Sequence, residues 1–277
     1  MSESESVWDQ FVGLAQAPDE EIDLGRAAFL IAAAEYPELD IQRELSVLDS
    51  LAGGASHRLG DSRDAIYSIN TLSEYLFDEV GFSGNNEDYY DPRNSYLNEV
   101  LSRRVGIPIT LSLVCIEVGK RCGIPLVGVG LPGHFLLRHR DEEELFVDPY
   151  HRGILLSAEE CAERLKEIHQ DNIAWDDSLL EPITNRDYVA RLLRNLKVIY
   201  LQRQDLDRAI KMIDRLVAIL PQSPEERRDR GVVNYRLGRY QEARDDLQFY
   251  LQSAAADSDT AELERLISHM DGILGKE

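Results

Sequence analysis

Apolar residues recur at helical spacing through the first eighty positions of the chain. Residues 25–36 are rich in Ala, Leu and Ile. Residues 41–51 repeat apolar side chains every three or four positions behind Asp40, a ready N-cap. Residues 65–80 do the same with Ile66, Ile69, Leu72, Tyr75 and Leu76. Gly53-Gly54-Ala55-Ser56 predicts a break between the last two segments. Residues 81–93 hold two glycines, a proline and several acids and read as a loop; their carboxylates miss the Asp-x-Asp-x-Asp-Gly spacing of a calcium loop. A short helix over 95–104 leads to residues 109–118, which are apolar on nearly every side, with only Thr110, Ser112 and Glu117 interrupting. A helix apolar all round is buried all round. Pro108 suits its first turn, where a missing N–H loses no intrahelical bond, and Gly123-Ile124-Pro125 ends it. Three β-type runs follow, 126–131, 134–139 and 144–147, with turns at Gly133 and at Asp141-Glu142-Glu143. Ser157-Ala158-Glu159-Glu160 is a capping box that opens a helix to about residue 168. Helix followed by antiparallel meander predicts an α+β domain.

From about residue 186 the pattern is helical only. Shifted by 34 residues, the segment matches itself: Asp205-Leu206-Asp207-Arg208-Ala209 falls on Arg239-Tyr240-Gln241-Glu242-Ala243, and Ile213 on Leu247. Ser223-Pro224-Glu225-Glu226 supplies an N-cap, a proline at the first helical position and a Glu at the third. A helix-turn-helix period of this length is the tetratricopeptide signature. Arg230-Gly231 with Tyr235, Gly238, Tyr240 and Ala243 resembles its second half, and a last helix is expected over 260–274. The expected domains are residues 1–175 and 186–277.

Charge and cysteine content narrow the partners. Lys and Arg number 30 against 51 Asp and Glu, a net charge of −21. Such a surface repels phosphate backbones and anionic lipid, so nucleic acid and membrane are not expected partners; the acid either serves solubility alone, the reading favoured by the role of net charge, or suits a basic protein or peptide. No apolar run reaches the ~18–20 residues of a membrane span, and the first residues lack the basic and apolar regions of a secretion leader. Cys115, Cys122 and Cys161 form no CxxC pair and read as reduced, buried apolar filler in a cytoplasmic protein. No cofactor is expected. No metal is expected either, because no two His stand at i, i+4 on a helix. His139, His151 and His169 read as exposed polar positions.

The chemistry lies in the order of parts. A helix start at Gly106-Ile107-Pro108, a histidine in Pro132-Gly133-His134-Phe135 and an aspartate in Phe146-Val147-Asp148-Pro149 follow the order of a Cys-His-Asp thiol enzyme. In that arrangement the helix N-terminus and an imidazolium stabilise a thiolate, the His acts as base and then acid, and the carboxylate orients the His. His134 and Asp148 fit the last two roles if their strands are neighbours, but the thiol slot holds Pro108, which has no reactive atom. At ~1.5 Å per residue, Ser112 lies about 6 Å deeper and Cys115 about 10 Å deeper, whereas a nucleophile must approach its base to roughly 2.6–3.2 Å. Thr110 points about 200° round the helix from position 108. His134 also suits a buried hydrogen-bonded histidine without chemistry, and Asp148 before Pro149 also suits the start of a turn.

Gly81-Phe82-Ser83-Gly84-Asn85, Asn94-Ser95-Tyr96-Leu97-Asn98-Glu99-Val100-Leu101, Arg104-Val105-Gly106-Ile107-Pro108, Leu131-Pro132-Gly133-His134-Phe135-Leu136 and Val147-Asp148-Pro149 together resemble the transglutaminase-like family typified by the SirB protein, in its version with C-terminal tetratricopeptide repeats. The resemblance covers most of the chain. It implies an α+β fold: a helical N-terminal region, a papain-like core with a small antiparallel sheet, then an all-α repeat array. It also implies His134 and Asp148 as the second and third triad members. Active relatives read roughly Gly-x-Cys where this chain has Gly106-Ile107-Pro108. The resulting reading is a degenerate cleft serving as a binding or regulatory scaffold, with the repeats contacting a protein. The alternative is an active hydrolase or isopeptidase using His134 and Asp148 with Ser112, a cysteine from elsewhere or a water. A third reading is a sensor of a small molecule or peptide terminus. The sequence names neither the partner nor the oligomeric state.

Overall fold

A computed structural model describes residues 6–61, 64–142, 144–170, 172–253 and 260–275. Met1 to Glu5, read above for a leader, and Glu143 of the acidic turn lie outside them. The chain divides into two units, Met1–Gln10 with Ala17–Leu192, and Phe11–Gln16 with Leu193–Glu277.

The first unit begins with helices α1 (Val7–Gln16, whose last six residues belong to the second unit), α2 (Leu24–Ala33), α3 (Ile41–Leu59) and α4 (Ala65–Ser73). Asp23, Asp40 and Asp64 each cap the following helix by accepting backbone N–H bonds. Helix α3 runs through Gly53-Gly54 without the expected break. A Cβ on Gly54 would collide with the Tyr75 hydroxyl, so this glycine marks a close approach of a ring rather than a chain reversal. After α4 the chain widens into a π-helical stretch over Glu74–Glu79. The 81–93 segment is the expected loop with one addition. Its β1 (Ser83–Gly84) pairs in parallel with β2 (Val105–Gly106), which follows α5 (Leu97–Arg103).

Helix α6 (Pro108–Cys122) is the axis of this unit, buried from Pro108 to Gly119 as its all-apolar pattern requires. Thr110 fixes its first turn: the hydroxyl accepts the Ile107 N–H at 3.0 Å and donates to the Asn94 carbonyl at 2.7 Å. Gly123, at φ 78°, ends it. Strands β3 (Leu126–Val129), β4 (Leu136–His139), β5 (Phe146–Asp148) and β6 (Ile154–Leu156) form an antiparallel meander in that order. The register sets Val129 opposite Leu136, Leu137 opposite Val147, and Asp148 opposite Ile154. The fourth strand was not expected; its three residues follow a tight turn with positive φ at Arg152 and Gly153 and are too few to show alternation. Val129, Leu131, Leu136, Phe146, Leu156 and Cys161 pack into one apolar cluster beneath α7 (Ala158–His169). The Ser157 capping box of α7 is present in both directions, at 2.7 and 3.3 Å.

Helix α8 (Asn185–Gln202) leads into the second unit of α9 (Leu206–Ile219), α10 (Pro224–Arg236), α11 (Tyr240–Ser253) and α12 (Thr260–Leu274). Leu206 and Tyr240 open corresponding helices one 34-residue repeat apart. Gly231 lets α10 and α11 close up, since a Cβ there would meet Leu247 at 2.8 Å. Buried Glu226 accepts from Lys197 and Arg194, both at 2.7 Å, and buried Asp246 from Arg230 at 2.6 Å. The architecture is α+β, mostly helical, with a small antiparallel sheet and a helical repeat region.

Candidate functional site

The site is built from turns at the ends of the strands. Leu131 to His134 form a β-turn closed by the His134 N–H donating to the Leu131 carbonyl at 3.2 Å. Pro132 and Gly133 occupy its central positions, and Gly133 takes φ 69°, which a side chain would strain. Arg191 of α8 clamps this turn, donating to the carbonyls of Leu131 and His134 at 2.5 and 2.6 Å. The turn aims His134 at Asp148, the last residue of β5.

His134 Nε2 lies 2.9 Å from Asp148 Oδ2, with both side chains buried, at 5 and 0% exposure. Asp148 Oδ1 caps the following turn, accepting N–H bonds from Tyr150 at 3.1 Å and His151 at 3.2 Å. That turn returns His151, so its Nδ1 also reaches Asp148 Oδ2, at 2.7 Å. Burial opposes charge on Asp148, but hydrogen bonds and attraction from His134 and His151 outweigh it and hold the carboxyl below its ordinary value. An ionised carboxylate only accepts, so His134 donates from Nε2, and the neutral imidazole then carries its lone pair on Nδ1. That is the tautomer of a general base. No hydrogen-bond partner stands at Nδ1 among the described residues.

Tyr89, Pro108, Gly133, His134, Tyr150, His151, Arg164, Glu167 and Ile168 enclose an open cleft of about 310 Å³. Pro108 and the His134–Asp148 pair thus share one cavity. Tyr150 packs over Gly84 and ties the 81–93 loop to the cleft, its hydroxyl donating to the Asn85 carbonyl at 3.0 Å. A larger cavity of about 390 Å³ at the other end of α6, lined by Lys120, Gly123 and Arg140, holds none of these groups.

The substitute nucleophiles lie elsewhere. Ser112 is fully buried, and its hydroxyl has no hydrogen-bond partner among the described residues. Thr110 is spent on the helix cap. Cys115 is buried in α6, and burial raises its thiol pKa far above the ordinary value. Cys161 sits in the apolar cluster beneath the sheet; burial, then the charges of Asp148 and Glu160, push its thiol up to about 12. Cys122 ends α6, about 21 Å along the axis from Pro108 at 1.5 Å per residue.

Two of the remaining histidines depart from the exposed reading. His139 is buried at the end of β4 opposite Leu126, with Nδ1 accepting the Asp141 N–H at 3.3 Å. Half-buried His169 reaches the Pro132 carbonyl at 3.0 Å. His151 is 43% exposed yet belongs to the site. Its signal was available: an Asp that caps a turn draws the residue three positions on back toward itself. Tyr150 sits in the same Asp148-capped turn, whereas Tyr89, Arg164 and Arg191 carried no such signal, since only tertiary packing brings them here.

A model of the transglutaminase-like superfamily matches residues 42–194. The chain belongs to the transglutaminase-like superfamily. A tetratricopeptide repeat model matches residues 196–268 of this family member. A UPF0162 protein of Xylella fastidiosa is 41% identical over 248 residues, 86% of each chain. One of Vibrio cholerae is 28% identical over 245 residues, 86% of this chain and 90% of that protein. F-box only protein 21 of Mus musculus is 36% identical over 102 residues, 34% of this chain and 16% of that protein. No solved structure matches. These UPF0162 relatives are the SirB-type family that the sequence motifs resemble.

Proposed function

We propose that this transglutaminase-like chain is a non-catalytic, cytoplasmic scaffold that binds a protein or peptide segment in its old thiol-enzyme cleft and through its helical repeats. One observation carries the reading: His134 lines a cleft that Pro108 also lines, and no thiol or hydroxyl hydrogen-bonds its ring among the described residues. The cleft is open rather than plugged, which supports binding over a purely structural role for the pair. Tetratricopeptide repeats generally mediate protein–protein contacts, and the net charge of −21 favours a basic partner segment. Three free cysteines support a reducing compartment. No described helix is long and apolar enough to cross a membrane.

The second reading, a hydrolase or isopeptidase, rests on the intact 2.9 Å contact between His134 and Asp148, which suits a base activating water. A peptide array probed with the whole chain separates the two. Scaffolding predicts capture of basic peptides that weakens in a Tyr89→Ala variant, with no amine release. Release of amine from captured peptides, abolished in His134→Ala, assigns the hydrolase instead.

A further inference from the structure

The geometry points to a divalent transition-metal site made by His134, Asp148 and His151. The inference does not depend on the scaffold reading, because metal titration reports on these three side chains whether or not a peptide binds. A triad remnant needs one imidazole on its carboxylate. Here two converge on a single oxygen, Asp148 Oδ2, at 2.9 and 2.7 Å. The other oxygen is held by two backbone N–H groups, which fixes the carboxylate plane as the outer partners of a metal ligand do. All three ligand atoms lie within 4.8 Å of one another. Tetrahedral ligands about 2.1 Å from an ion stand about 3.4 Å apart, so the widest pair must close by up to about 1.4 Å and each imidazole nitrogen must draw about 0.5–0.7 Å away from Oδ2.

Two imidazole nitrogens and one carboxylate suit zinc, cobalt, nickel or ferrous iron rather than magnesium or calcium. Asp148 and His134 are buried, which shields the site, and half-exposed His151 opens it to the cleft for entry and for further ligands. The absence of an i, i+4 histidine pair does not bear on such a site: the ligands come from a β-turn, a strand end and the turn after it.

One neighbour opposes the ion and makes the inference specific. Arg164 Nη1 lies 3.2 Å from both ring nitrogens of His151 and 3.9 Å from Asp148 Oδ2. Without metal, His151 donates from Nδ1 to Asp148, and the guanidinium rests against the His151 ring. With metal on Nδ1, a guanidinium stands beside a dication. Arg164 must swing away for the ion to bind, so removing it tightens binding.

The full chain, stripped with chelator, is titrated by calorimetry with Zn²⁺ and by visible absorption with Co²⁺. The expected result is one ion per chain, with d–d bands in the visible. Affinity falls at least about tenfold in His151→Ala and in Asp148→Asn, and rises in Arg164→Gln. His151→Ala alters a half-exposed side chain, so it reads the ligand role even where Asp148→Asn fails to fold. Absence of a stoichiometric site, or a site of unchanged affinity in His151→Ala, overturns the assignment.

Discussion

Replacing Pro108 with Cys puts sulfur in the one slot this cleft lacks. Proline at the first helical position is lost at about 0.4–1 kcal/mol, through the greater freedom of the unfolded chain, so the variant folds. A free thiol has pKa ~8.5, and pairing with imidazole at a helix start lowers it to between about 3.5 and 7.5. The helix dipole alone supplies about 0.3–1 kcal/mol, under one pKa unit, so most of the drop must come from His134. With the thiol at about 6, the thiolate fraction at pH 5 rises about 300-fold over a free thiol. The lower basicity costs roughly 15-fold in nucleophilicity, leaving about a twentyfold gain in rate. At pH 7 the two effects nearly cancel, so the pH profile is the measurement. Iodoacetamide labelling at position 108, followed by peptide mass spectrometry in a Cys122→Ser background, should show a midpoint near 6. In Pro108→Cys/His134→Ala it should return toward about 8.5. Equal midpoints in the two variants would refute the claim that His134 faces the helix start as a competent base.

Other expectations follow from the same contacts. Arg191→Ala removes two charge-assisted bonds to the Leu131–His134 turn and should lower stability by about 2 kcal/mol in urea unfolding. The Asp148 carboxyl is held below its unfolded pKa, so its contribution to stability is present above about pH 4 and drains away as pH falls through the lower folded value. Thermal unfolding of Asp148→Asn across pH 2–6 should lack that component. Gly54→Ala would gain about 1 kcal/mol from helix propensity alone, but the Tyr75 ring blocks the new methyl, and a net loss of about 1–3 kcal/mol is expected in denaturant unfolding.

Most of the fold was legible because its signals are local. The all-apolar run after Pro108, the Ser157 capping box and the 34-residue offset each depend on residues close in sequence, and each reappears as an element. Gly53-Gly54 misled because glycine reports either chain freedom or close approach, and only the Tyr75 ring above Gly54 decides which. Strand β6 escaped notice because three residues paired only to β5 carry no period. In the site, His134, Asp148 and Pro108 could be read from the order of motifs along the chain. His151 was legible in principle, as the third residue after a capping aspartate. Arg164 and Arg191 reach the site from helices α7 and α8, and no local pattern foretells which face of a helix meets a turn.

The central claim is that an intact base and its orienting carboxylate face no nucleophile. Exposing the native chain to a panel of electrophiles directed at thiols and at hydroxyls, and weighing the intact protein, tests it most directly. No adduct should form whose appearance depends on His134, and Cys115 and Cys161 should react only after denaturation. A single native adduct, mapped to one side chain and lost in His134→Ala, would contradict it.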